Sequence, residues 1–150
     1  MDKSVPFPQA DDFDKIIEIL QFHNEEDLND VMKISSRLGD ISDRQVSYYI
    51  SAAMFLGFVE KKNGKRVFSK HALEIKKMNT YMRNAEIISI ILLNPVFNKI
   101  YVNSVLLGQQ EQEAVVDILK QYYPEYSDAI LKRRSQTIIS WINWVLGHLS

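Results

Sequence analysis

The sequence predicts a mainly α protein interrupted by one β-hairpin, and three observations carry that prediction. Apolar residues recur at helical spacing through most of the 150 residues. The periodic runs are bounded by capping residues, glycines and prolines. Residues 58–68 break the pattern. There, two β-prone runs, Phe58-Val59-Glu60 and Arg66-Val67-Phe68, flank the tight-turn pair Asn63-Gly64.

Taken in order, residues 1–10 are a Pro-containing, extended lead. A first helix follows to about Phe22, with Phe13, Ile16, Ile17 and Leu20 as its apolar stripe. Asp11, Asp12 and Asp14 suit the positive end of its dipole. A second helix covers Leu28 to Leu38, with Leu28, Val31, Ile34 and Leu38 turned inward and Gly39 closing it. A third starts at Ser42, with Gln45 completing a capping box, and ends at Gly57. Its buried face is Val46, Tyr49, Ile50, Ala53 and Leu56. Three helices followed by a hairpin, over residues 11–70, is the order of a winged helix-turn-helix with a two-stranded wing.

Residues 71–82 read as a helical connector, and residues 83–150 as a second, wholly helical domain. Its helices run from about Tyr81 to Leu93, from Pro95 to Leu107 with Pro at the first position, from Glu111 to Tyr122, and onward from the cap Ser127. Arg44, Ser47, Leu56 and Gly57 recur 90 residues later as Arg134, Thr137, Leu146 and Gly147. That offset predicts a second helix-turn-helix-like unit without a wing. Because the chain stops at Ser150 before a second wing could form, it is expected to be the front part of a longer protein.

Net charge is −1, but its distribution is uneven. Residues 1–40 hold ten acids and four bases, residues 41–80 three acids and eight bases, and residues 81–150 six of each. Positive charge therefore gathers around the hairpin, in Lys61, Lys62, Lys65 and Arg66, as a DNA footprint would. On the third helix, Arg44, Gln45, Ser47, Tyr48 and Ser51 lie outside the buried face. Arg and Gln there suit bidentate bonds to guanine and adenine, and the hairpin cations suit backbone phosphates. The competing reading pairs Arg44 with Asp40 or Asp43. Trp141 and Trp144, three residues apart, read as packing anchors rather than base platforms.

Catalysis finds little support. Cysteine is absent, and the three histidines, His23, His71 and His148, form no i, i+4 metal pair. No glycine-rich phosphate loop exists, and Glu74-Ile75-Lys76 has a nuclease-like spacing without the strand that should precede it. Neither an enzyme, a metal nor a cofactor is expected. The start lacks a signal peptide, and no apolar run reaches the roughly 20 residues of a membrane span, so the expected location is the cytoplasm.

The stretch RQVSYYISAAMFLGFVE with its hairpin resembles the paired winged-helix module attached to some type II restriction endonucleases and related nucleases. KRRSQTIISWINWVLG is similar to that module's second signature, a basic pair, Gln-Thr and two spaced tryptophans. The resemblance implies that the module recognises double-stranded DNA while a separate domain, downstream in a parent chain, cuts. It carries over Arg44, Gln45, Ser47, Tyr48 and Ser51 as reading positions, and Lys132, Arg133, Arg134 and Gln136 as DNA contacts of the second unit. Sequence-specific duplex binding within a restriction system is thus the expected function. A stand-alone dimeric transcriptional regulator and a winged-helix protein-interaction scaffold are the alternatives.

Overall fold

The structure, a computed structural model, describes residues 5–149. It is mainly helical with one small antiparallel sheet, and its described residues divide into two compact units, 5–83 and 84–149.

In the first unit, α1 (Phe13–Leu20) starts where the Asp12 carboxylate accepts from the Asp14 N–H at 3.1 Å. A 3-10 helix (Glu25–Asn29) and α2 (Val31–Arg37) follow. These two were expected as one helix from Leu28 to Leu38. Instead Asp30 is extended, at φ −112° and ψ 98°, and its carboxylate accepts from the Lys33 N–H. An Asp capping the segment after it ends the segment before it. Val31, expected inward, is correspondingly 37% exposed, while Leu28, Ile34 and Leu38 are buried.

Helix α3 (Asp43–Phe55) has the expected cap, with Ser42 Oγ accepting from the Gln45 N–H at 3.2 Å, and Val46, Tyr49, Ile50, Ala53 and Leu56 are buried. Its end is a Schellman motif. The Phe58 N–H donates to Ala53 O and the Gly57 N–H to Met54 O, with Gly57 at φ +78°, where a side chain would be strained. Strands β1 (Val59–Lys62) and β2 (Lys65–Phe68) then pair antiparallel, Val59 opposite Phe68 and Lys62 opposite Lys65. Asn63 and Gly64, at φ +54° and +77°, form the type I′ turn that suits the twist of a hairpin.

Side chains from the 3-10 helix hold the hairpin. Asn29 uses both ends of its amide on Arg66, its Oδ1 accepting from the Arg66 N–H at 2.9 Å and its Nδ2 donating to Arg66 O at 3.1 Å. The Phe68 N–H donates to the Glu25 carboxylate at 2.8 Å. Residues 71–82, expected as a connector, fold within this unit. Helix α4 (Lys70–Ile75) buries Ala72 and Ile75, and Ser69 caps it while donating to Gly57 O. The described part of the N-terminal lead, residues 5–10, is docked through Phe7, which is 1% exposed and edge-on to Phe55.

Tyr49 links the helices of this core, because its hydroxyl oxygen accepts from the Asp12 N–H at 3.0 Å. Changing Tyr49 to Phe strands that amide and is expected to cost about 1 kcal/mol in urea unfolding. Burial also pushes the Tyr49 phenol above its ordinary value of 10.0. Its contribution is therefore complete below pH 10 and lost as pH rises through the raised value. Alkaline unfolding of Tyr49→Phe should accordingly be less steep than that of wild type.

The second unit contains most of α5 (Thr80–Leu93) and all of α6 (Pro95–Leu107), α7 (Gln112–Tyr122) and α8 (Asp128–Gly147). Asn94 starts α6, its Oδ1 accepting from the Val96 and Phe97 N–H groups, and Ser127 starts α8. Helices α6, α7 and α8 pack on one another around Trp141, which is fully buried and stacked on Phe97 at 5.2 Å. Two of the four position pairs in the 90-residue offset differ in setting. Ser47 is exposed but Thr137 is buried, and Gly57 has positive φ while Gly147 stays helical.

Candidate nucleic-acid interface

The first unit brings the exposed side of α3 and the hairpin cations together. Ser47, Ser51 and Met54 of α3 share a shallow groove of about 220 Å³ with Lys61, Arg66 and Pro6. The Ser47 and Ser51 hydroxyls and the Lys61 and Arg66 cations share this groove with the apolar Val5, Pro6, Ile50 and Met54, so a phosphodiester can meet the cations and a base edge the hydroxyls across a partly apolar floor.

At the start of α3, Arg44 turns along the helix instead of toward Asp40 or Asp43. Its Nε donates to the Tyr48 hydroxyl at 2.6 Å, and its guanidinium lies 5.5 Å over the Tyr48 ring. The pairing preorganises an exposed guanidinium. Gln45 and Ser47 are exposed beside it, and Tyr48 and Ser51 are half-buried.

The four hairpin cations do not form one patch. Directly opposed residues share a face, and the ladder sets Lys61 opposite Arg66 and Lys62 opposite Lys65. Lys61 and Arg66 face the α3 groove, and Lys62 and Lys65 face the other way. Like charges directly opposed in a ladder repel. Among the described residues, Lys61, Lys62 and Lys65 have no carboxylate partner. Arg66 differs from the lysines: its Nη1 donates to Leu28 O at 3.2 Å, so part of its guanidinium holds the fold.

The second-unit residues are dispersed. Lys132 and Gln136 are exposed, but Arg133 donates to the Thr137 hydroxyl, and Arg134 donates to the Tyr126 hydroxyl at 3.0 Å and lies over that ring at 4.7 Å. Tyr126 in turn stacks on Tyr123, whose phenol burial pushes up. The Arg134 contacts hold α8 to the segment before it, and the Arg133 contact lies within α8. Sequence reasoning missed Asn29 and Glu25, the residues that position the hairpin. Their partners lie 37 and 43 residues away, beyond any local pattern.

A larger groove of about 650 Å³ lies elsewhere in the first unit and includes Arg37, Lys76 and Arg83. Lys76 is occupied structurally, its ammonium donating to Leu20 O and Phe22 O at 2.6 Å and closing the end of α1. Burial lowers its pKa. The Glu74-Ile75-Lys76 spacing thus falls at the end of α4 instead of on a strand. Among the described residues, no group of three His, Cys, Asp or Glu side chains could hold a metal ion, and no single helix is long and apolar enough to cross a membrane.

A family model described as a domain of unknown function, DUF7226, matches residues 15–150. No curated protein matches the chain, and no solved structure does.

Proposed function

Starting from the chain's membership of the DUF7226 family of domains of unknown function, we propose that it binds double-stranded DNA, with α3 reading bases and the hairpin acting as a wing on the phosphates. The observation that carries this reading is the groove shared by α3 hydroxyls and hairpin cations. The element order α1, α2, α3, β1 and β2 agrees with a winged helix-turn-helix, in which the third helix enters the major groove. Uncompensated lysines add support. Repulsion between Lys62 and Lys65 is unfavourable in the free protein and is relieved when a polyanion approaches. The narrower reading, a recognition module of a restriction or related nuclease system, rests on the resemblance of residues 44–60 and 132–147 alone.

The test is selection from a pool of random duplexes, followed by fluorescence anisotropy on the selected site at several salt concentrations. Wild type is expected to enrich a defined sequence and to bind it with steep salt dependence. Gln45→Ala with Ser47→Ala should lose about 1–3 kcal/mol of discrimination between selected and random duplex while keeping the salt slope. No enrichment and no salt-dependent binding would leave the protein-interaction scaffold as the better reading.

A further inference from the structure

Arg44, Ser47, Tyr48 and Ser51 fall at i, i+3, i+4 and i+7 on α3, one stripe on the side away from the buried Val46, Tyr49, Ile50 and Ala53. Ser47 and Ser51 share the groove with the hairpin cations, while Arg44 and Tyr48 pair with each other. Arg44 stands in the first turn, where a cation opposes the helix dipole. Asp40 and Asp43 lie close in sequence, yet among the described residues neither forms an ion pair with it. The guanidinium charge therefore does not serve the helix. What holds the side chain is Tyr48, through the 2.6 Å bond from Nε to the hydroxyl oxygen and the ring 5.5 Å from the guanidinium. That bond uses Nε and leaves the two Nη groups, which donate to no protein group among the described residues.

We propose that Tyr48 is a positioning residue: it sets the Nη edge of Arg44 toward the major groove, so that the base read at the start of α3 is guanine, and it makes no base contact itself. This role rests on the duplex-DNA reading proposed above and gives that reading a base. The Nη edge is a fork of parallel donors. In the major groove guanine presents two adjacent acceptors, O6 and N7, to such a fork. Adenine sets a donor beside N7, and thymine sets a methyl group beside O4, so neither fills both donors. A flexible arginine loses rotamer freedom on binding, and one already held by its neighbour loses less. The benefit of Tyr48 is therefore collected only where the fork finds both acceptors. Lysine could not replace Arg44, because it has no Nε–H to give Tyr48 and no fork to give the base.

The test is anisotropy on the selected duplex and on copies in which each guanine in turn is 7-deazaguanine, which keeps Watson–Crick pairing but lacks the N7 acceptor. For wild type, replacement of one particular guanine is expected to weaken binding about 10-fold, and Arg44→Ala should abolish that penalty. Tyr48→Phe keeps the ring and the helical circular dichroism, and should bring the penalty down to about 3-fold at an unchanged salt slope. In the Arg44→Ala background, Tyr48→Phe should do nothing further. A hydroxyl that merely supported the fold would instead weaken every duplex alike. A full penalty in Tyr48→Phe, or losses that add independently in the double variant, would overturn the role of Tyr48. So would an Arg44→Ala slope lowered by about 0.9 with no guanine-specific penalty, which would make Arg44 a phosphate contact. Enrichment of a sequence with no Arg44-dependent guanine sinks this inference and leaves duplex recognition standing, whereas a wild type that binds no duplex sinks both.

Discussion

Replacing Lys61, Lys62 and Lys65 together with alanine is expected to weaken duplex binding on the order of 100-fold at 0.1 M salt and to lower the log–log salt slope by about 2.7. Each phosphate neutralised releases condensed counterions, about 0.9 per contact on B-DNA, so three lost contacts appear in the slope itself. The same variant should be as stable as wild type or slightly more so, by a few tenths of a kcal/mol, because the opposed Lys62–Lys65 pair is relieved. Opposite movements of affinity and stability separate a ligand contact from a structural one. Arg66 is left in place, since its backbone and guanidinium are bound to Asn29 and Leu28. Unchanged affinity and slope in the triple variant would remove the hairpin from any DNA interface.

Trp141→Ala is expected to cost about 3–5 kcal/mol, enough to unfold the second unit or bring it close to unfolding. The indole is wholly buried and stacked on Phe97, so truncation leaves a cavity that rigid helices α6 and α8 cannot readily close. Its burial also removes it as a base-stacking platform. With Trp141 gone, Trp144 is the remaining tryptophan, and its fluorescence reports the unit during urea titration. A loss below about 1 kcal/mol would mean that the helices repack around the vacancy and that Trp141 is no anchor.

Helix α6 was legible to the residue because its punctuation is local, Asn94-Pro95 at one end and Gly108 at the other. The Asn63-Gly64 hairpin and the Ser42 start of α3 were legible for the same reason. The break before α2 was hidden by apolar periodicity. Leu28, Ile34 and Leu38 do share a core, but Asp30 resets the helix between them, and an Asp can read as either a surface residue or a cap. Within the candidate site, residue identities were legible and their grouping was not. Alternation along β1 and β2 sends Lys62 and Lys65 away from α3, and Tyr126 draws Arg134 inward from eight residues away. Both outcomes depend on contacts that helical spacing alone does not encode.

The hold that Asn29 and Glu25 keep on β2 also bears on how the molecule behaves when concentrated. A two-stranded ribbon normally leaves outward N–H and C=O groups that can template a strand from a neighbouring molecule. In β2 those groups at Arg66 and the N–H of Phe68 are already taken by side chains. The sheet is therefore closed on that side without a third strand. Opposed lysines near the turn add a barrier of like charge against any incoming cationic hairpin. The β2 edge is thus blocked against strand addition while Lys61, Lys62 and Lys65 stay exposed.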